Sequence, residues 1–268
     1  MRVGVIGCGG RMGRLLLAEV LDDERVELGG GLVREGSELA GQDVGRALGR
    51  PPVGVTLSVD AEALFAQADV VVDFSTPGAS LKHATIAAAQ GKPLVIGTTG
   101  IAAAEQVAIQ AAAQRTAIVL AANTSVGVTL LAELVQQVAA VLDDDFDIEI
   151  VEMHHRRKVD APSGTALLLG EAAAKGRGID LQASGVRARD GHTGARTTGS
   201  IGFATLRGGD VVGDHSVYFA GTGERLVLSH LASDRRIYAK GALRAARWLT
   251  NRSTGFYTMR DVLGFNEG

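Results

Sequence analysis

Arg2-Val3-Gly4-Val5-Ile6-Gly7-Cys8-Gly9-Gly10-Arg11-Met12-Gly13 opens the chain. A short apolar run, Arg2–Ile6, reads as a strand. It enters a glycine-rich turn, and the Leu-rich stretch Arg11–Leu21 that follows reads as a helix. Strand, glycine turn and helix in that order are the phosphate-binding start of a dinucleotide fold. Glycine lets the backbone turn tightly and approach a pyrophosphate, which then rests at the positive end of the helix. The spacing departs from strict G-x-G-x-x-G, because Met12 takes the sixth place and Gly13 follows. Gly7, Cys8, Gly9, Gly10, Arg11 and Met12 are therefore the candidate phosphate-contacting residues. Cys8 reads as structural, since a nucleotide in this turn would cover it; a low-pKa thiolate nucleophile is the alternative.

Outward from this turn, apolar runs at Val26–Val33, Asp69–Phe74, Leu94–Ile96 and Ile118–Ala121 alternate with helix-like stretches at Ala79–Gln90 and Ala102–Gln114. Strands that are apolar throughout, separated by helices, indicate a parallel sheet covered on both faces. After Asn123 the pattern changes. Val126–Leu142 reads as one long helix, followed by strands at Phe146–Met153, Ser184–Arg189, Ile201–Leu206, Val211–Phe219 and Arg225–Leu231. Several of these alternate apolar and polar residues, which suits a sheet with one covered face. One helix, Gly164–Lys175, interrupts them, and Arg235–Asn251 is helical again. The expected fold is α/β: an N-terminal doubly wound, Rossmann-type domain (residues 1–125 plus 235–268) and a second α+β domain on a mixed sheet (residues 126–234).

Of the 268 residues, 46% are hydrophobic but only 4% aromatic, so the core must be built from Ala, Val, Leu and Ile. The net charge of −3 gives no global reason to expect nucleic acid or an anionic membrane. No apolar run reaches the roughly 18 residues of a spanning helix, and the chain starts directly with a strand. No membrane association and a cytoplasmic location are the default expectations. The single cysteine excludes an internal disulfide and argues against a cysteine-based metal site.

About twenty residues past the glycine turn, an NAD-binding fold carries an acid for the ribose 2′-hydroxyl. Val33 stands there, followed by Arg34. Valine cannot accept that hydrogen bond, whereas arginine pairs with a 2′-phosphate. This favours NADPH over NADH, with Glu35 and Glu38 close by and a plain solvated charge as the alternative for Arg34.

Glu152-Met153-His154-His155-Arg156-Arg157-Lys158-Val159-Asp160-Ala161-Pro162-Ser163-Gly164-Thr165-Ala166 is the most informative segment of the second half. Two histidines and three permanent cations lead through a proline into a helix. Gly164 and Thr165 at that helix start offer backbone N–H groups to an anion, and Lys158 adds charge. Two cationic features suit a substrate with two carboxylates. His154 or His155 can donate or relay a proton. Adjacent histidines on a strand face opposite ways, and as a metal pair their spacing is wrong, so no metal is expected.

These residues resemble the dihydrodipicolinate reductase family, which reduces 4-hydroxy-tetrahydrodipicolinate in diaminopimelate and lysine biosynthesis. The resemblance rests on the turn GCGGRMG, Val72–Pro77 (VDFSTP), Gly97–Gly100 (GTTG), Ala121–Val128 (AANTSVGV), the string HHRRKVDAPSGTA, and the tract Gly191–Gly194 with Ile201–Thr205. It implies that Gly97, Thr98 and Thr99 lie against the cofactor and that Ala121, Ala122, Asn123 and Thr124 lie near the nicotinamide. It implies that His154 is the proton donor and that Lys158 assists it and contacts substrate. It implies further substrate contacts at His155, Gly164 and Thr165, a small cyclic dicarboxylate as substrate, and a homotetramer built through the second domain's sheet. Members with an acid at the Val33 position use both nucleotides, and some carry an aromatic where Thr124 stands. An oxidoreductase with another anionic substrate, or a dinucleotide sensor without activity, are the rival readings of the residues.

Overall fold

The structure, a computed structural model, describes residues 1–265 and divides into two compact units. One comprises Met1–Val126 with the stretch from Arg235 onward; the other is Gly127–Asp234. The part of the first-domain expectation that falls on residues 266–268 lies outside the described residues.

The first unit is built on seven strands: β1 (Arg2–Ile6), β2 (Glu27–Leu32), β3 (Leu57–Ser58), β4 (Val70–Asp73), β5 (Leu94–Ile96), β6 (Ala117–Leu120) and, after the second unit, β12 (Gly255–Tyr257). Their order is β12-β6-β5-β4-β1-β2-β3, every pair parallel. The helices are α1 (Arg11–Asp22), α2 (Val44–Ala47), α3 (Ala61–Gln67), α4 (Pro77–Gln90), α5 (Ala103–Ala112), α9 (Arg236–Leu249) and α10 (Met259–Val262). Val70, Val71 and Val72 are fully buried, which is why β4 reads as an unbroken apolar run. Two separate clusters form the core. Leu16, Leu17 and Val20 of α1 join Ala239, Ala242, Leu243 and Ala246 of α9 in one; Phe65, Ala84, Ala87 and Ile109 join the other. Burying each Val, Leu or Ile contributes about 1.5–3 kcal/mol, and small alanines let the helices approach closely where aromatics are scarce.

The second unit begins within α6 (Val126–Val141), whose first residue closes the first unit. It continues with β7 (Asp147–His154), α7 (Gly164–Arg177), α8 (Leu181–Ser184), β8 (Gly185–Val186), β9 (Ile201–Arg207), β10 (Gly213–Gly221) and β11 (Glu224–Ala232). The sheet order is β11-β10-β7-β9-β8; β7 pairs with β9 in parallel and with β10 antiparallel. One face packs on α6 and α7 through Ile148, Ile150, Phe203, Val217 and Phe219. Leu206, Val227 and Leu231 are exposed.

Several elements depart from expectation. The stretch read as a strand at Ser184–Arg189 is the end of α8 and a two-residue strand. Here Asp180 caps α8, its carboxylate accepting from Gln182 N, and this helix takes Ser184 from the expected strand. α2, β3 and α3, between Val44 and Gln67, had no sequence counterpart, nor had β12. The first is four residues long and the second two, too short to show a period. α3 is capped by Asp60, which accepts from Ala63 N at 3.0 Å.

Gly241 on α9 packs against the loop after β6, where a Cβ would stand 1.7 Å from the Thr124 carbonyl oxygen. Alanine gains about 1 kcal/mol of helix propensity over glycine, but overpacking against backbone costs about 1–3 kcal/mol or more. Gly241→Ala should therefore lower Tm by several degrees in a thermal melt. A variant as stable as its parent would show that this loop gives way freely.

Candidate active site

In the first unit the parallel register aligns the carboxyl ends of five strands. Leu32 lies opposite Ile6, Ile6 opposite Asp73, Asp73 opposite Ile96, and Ile96 opposite Leu120. The first residue beyond each strand is then held by a neighbour's last carbonyl. Gly7 N and Cys8 N donate to Leu32 O at 3.1 and 3.0 Å, Phe74 N to Ile6 O at 3.2 Å, Gly97 N to Asp73 O at 2.9 Å, and Ala121 N to Ile96 O at 3.0 Å. The glycine turn, Val33–Arg34, Gly97–Thr99 and Ala121–Thr124 thus stand along one edge. The strand order reverses at β1, and this is where such sheets bind nucleotides.

The turn has the shape of an anion cradle. Gly7 sits at φ +87°, and a Cβ there would lie 2.4 Å from Phe74 O. A Cβ at Gly13 would lie 2.1 Å from Gly7 O. These two glycines let strand, turn and helix close on one another. Gly9 and Gly10 are exposed at the start of the twelve-residue α1. Gly10 makes no side-chain cap, and no acid stands in the first turn. The helix's positive end and its unpaired N–H groups therefore fit a pyrophosphate.

Individual side chains divide sharply. Cys8 is buried, its Sγ donates to Val5 O at 3.2 Å, and burial pushes its thiol up to about 12. It offers the cradle its backbone only, and the thiolate alternative has no support. Val33 is also buried, whereas Arg34 is exposed beside it. Gly97 lies under the Phe74 ring, 2.2 Å from where its Cβ would be. Thr98 is buried and accepts from Ser80 Oγ at 2.8 Å; Thr99 and Ala122 are exposed. Asn123 Oδ1 accepts from Ser125 N at 2.9 Å. Thr124 is buried and donates its hydroxyl to Tyr238 O at 2.7 Å. The hydroxyl tethers the loop to α9 and does not present a flat surface for a nicotinamide ring.

In the second unit the site grows from the end of β7. Glu152 and His154 are two residues apart on a strand, so both side chains take the same face. His154 Nδ1 lies 2.5 Å from Glu152 Oε2. Glu152 is 1% exposed. Arg207, at the end of β9, grips it in a bidentate pair, Nη1 to Oε2 at 2.8 Å and Nη2 to Oε1 at 2.9 Å. Ser163 N donates to Oε1 at 3.1 Å and Thr205 Oγ1 at 3.3 Å. Burial raises the Glu152 pKa, but the Arg207 and His154 hydrogen bonds overcome it and hold the carboxyl below its usual value. An ionised carboxylate only accepts, so His154 Nδ1 carries the proton and Nε2 is the free position. Burial is the largest influence on His154, and together with the charges of Lys158 and Arg207 it lowers the pKa against the raising pull of Glu152.

Beyond His154 the chain turns. His155 N donates to Val211 O at 2.8 Å, and Lys158 N to His155 O at 3.1 Å. Lys158 Nζ meets both Asp160 oxygens at 2.7 Å. The charge expected from Lys158 is thus paired, with Asp160's carboxyl held below its ordinary value chiefly by the lysine. Ser163 caps α7, accepting from Ala166 N at 3.1 Å, and its hydroxyl also meets His215 Nε2 at 2.9 Å. Gly164 and Thr165 are the first residues of α7, as expected. The residues that sequence reasoning missed are Glu152, Arg207, Asp160, Ser163 and His215. The two-residue spacing of Glu152 and His154 was a usable signal; nothing in sequence joins Arg207 or His215 to them.

Among the described residues, no group of three or more His, Cys, Asp or Glu could hold a metal ion, and no helix is long and apolar enough to cross a membrane. Two family models match the chain: dihydrodipicolinate reductase, N-terminus, over residues 1–124, and dihydrodipicolinate reductase, C-terminus, over residues 127–263. The 4-hydroxy-tetrahydrodipicolinate reductase of Rhodopseudomonas palustris (strain HaA2) is 55% identical over 267 residues, 100% of this chain and 98% of its own length. That of Ruegeria sp. (strain TM1040) is 52% identical over 260 residues, 97% of each chain. A dipicolinate-bound dihydrodipicolinate reductase from Paenisporosarcina sp. TG-14 shares the fold, with a TM-score of 0.77 at 24% identity over 96% of this chain and 97% of that one.

His215 gives the site an acid sensitivity. It is 3% exposed, and burial, reinforced by the charge of His154, lowers its pKa from 6.5 to about 4. The unfolded chain binds a proton there near pH 6.5 and the folded chain only near pH 4, so acid favours unfolding across that window. The loss should reach roughly 3 kcal/mol at the acid end, read as a falling urea midpoint. His215→Gln should flatten the fall; a variant with its parent's acid sensitivity would contradict this assignment.

Proposed function

The chain belongs to the dihydrodipicolinate reductase family, and on that premise we propose how its own residues carry out the reduction of 4-hydroxy-tetrahydrodipicolinate to tetrahydrodipicolinate. The observation that carries the reading is the His154–Glu152 pair beside Lys158 and the start of α7. It sets a proton-carrying group next to two cationic features. When bound, a nicotinamide nucleotide would supply hydride to the ring of the dehydrated substrate. His154 then delivers a proton to the resulting enamine, directly or through water. Its depressed pKa makes it a ready donor once protonated, and the substrate's two negative charges favour protonation on binding.

Lys158, drawn from Asp160, and the Gly164 and Thr165 amides hold the two carboxylates, with His155 as a further contact. A carboxylate at the N-terminus of the fourteen-residue α7 gains from its dipole. Gly7 to Met12 cradle the pyrophosphate. Gly97, Thr98 and Thr99, and the backbone of Ala121, Ala122, Asn123 and Thr124, would hold the remainder of the nucleotide. Arg34 favours NADPH over NADH, because Val33 is buried and offers the 2′-hydroxyl nothing. The biosynthetic reaction fits a cytoplasmic enzyme. The exposed sheet face bearing Leu206, Val227 and Leu231 is where four copies would assemble; sedimentation equilibrium should give four times the chain mass, and a monomer would refute it.

Substrate made in situ from pyruvate and aspartate semialdehyde should drive NADPH oxidation. His154→Gln should lower kcat about 10²- to 10⁴-fold with little change in KM, and Lys158→Ala should damage both. Arg34→Ala should weaken kcat/KM for NADPH about tenfold and leave NADH almost untouched. Unaltered turnover in the His154 and Lys158 variants would remove their assigned roles.

A further inference from the structure

We propose that Glu152 is a positioning residue for this reaction: its carboxylate, clamped by Arg207, fixes His154 in the Nδ1–H tautomer, turns Nε2 to the substrate and stabilises the imidazolium that donates the proton. The inference rests on the reading of His154 as the donor.

An ion pair that served the fold alone would need only Glu152 and Arg207. Here Oε2 is shared between Arg207 Nη1 at 2.8 Å and the imidazole at 2.5 Å, while Oε1 is used by Arg207, Ser163 and Thr205. The carboxylate cannot swing away from His154 without breaking the bidentate grip. Its five contacts come from β7, β9 and the residue that caps α7, so its position is set by three elements. On the other side of the imidazole, Nε2 faces Gly213, where a Cβ would stand 2.9 Å away. Glycine at this position keeps a side chain off that nitrogen.

The charges around His154 show what Glu152 contributes. Glu152 lies on its own strand. Arg207 faces it from β9, His215 from β10 with ring centroids 5.1 Å apart, and Lys158, paired with Asp160, from the turn. Arg207, Lys158 and burial all act against an imidazolium, and Glu152 is the carboxylate in contact that favours it. Without that charge His154 would hold its proton only at lower pH. A donor must be protonated to act, so activity would then be lost at a lower pH as pH rises.

Glu152→Gln keeps the shape and removes the charge. Its kcat near neutral pH should fall roughly tenfold to a hundredfold, with substrate KM within about threefold. The basic limb of the kcat–pH profile should move down by about one unit, so that acidification restores part of the loss. A purely structural role would not move that limb. Nitrogen-15 histidine spectra of the wild-type protein give a second reading that does not depend on the Glu152 variant: neutral His154, assigned by loss of its signals in His154→Gln, should be Nδ1–H with a bare Nε2. A parental rate and pH profile in Glu152→Gln, or an Nε2–H tautomer in the wild type, overturns the proposal. Absence of turnover by the wild type would instead refute the reductase reading, and the tautomer alone would then decide the role of Glu152.

Discussion

A carboxylate with almost no contact with water keeps its charge only when its lone pairs are filled and a cation stands against it. Glu152 meets both conditions, with two guanidinium N–H groups, a backbone N–H, a hydroxyl and an imidazole N–H directed at its two oxygens. The demand constrains everything nearby. β9 must run parallel to β7 to its end so that Arg207 arrives opposite His154. The turn from His155 must return to place Ser163 N on Oε1 while its side chain caps α7. β10 must pass on the other side, bringing His215 opposite Glu152 and onto the Ser163 hydroxyl. Removing one partner would strand a buried charge, which costs far more than the pair contributes.

The first unit obeys a different constraint, one of backbone alone. Five parallel strand ends in register set five loops along one edge, each loop's first N–H taken by the adjacent strand. The side chains there largely turn inward: Cys8, Val33, Thr98 and Thr124 are all buried. A nucleotide would meet peptide groups, a helix dipole and glycine surface. One site thus rests on a charged side-chain network, the other on the geometry of the main chain.

Legibility in the sequence followed this division. The glycine turn, the apolar strands and the Pro-Ser-Gly-Thr helix start are local features, and their patterns survive in one dimension. The α/β class, the parallel sheet and the second mixed sheet were readable for that reason. Arg207 and His215 were not, because they lie 53 and 61 residues from His154 in the chain and meet it only through strand pairing. Lys158 and Asp160 stand only two residues apart in sequence, yet the run of basic residues drew attention to charge rather than to its neutralisation. Short elements such as α2 and β3 escaped because two to four residues carry no period. Val33 and Arg34 were set apart by chemistry in the sequence, and burial sets them apart again: Val33 is buried and Arg34 exposed.

The account stands on direct transfer of hydride from the nucleotide to the ring of a cyclic dicarboxylate. NADPH deuterated at C4 on the transferred face, incubated with enzyme and substrate in ordinary water, tests this directly by mass spectrometry of the product. Tetrahydrodipicolinate carrying one non-exchangeable deuterium is the outcome that follows from the account. Product formed without deuterium, from nucleotide deuterated on either face, would contradict it.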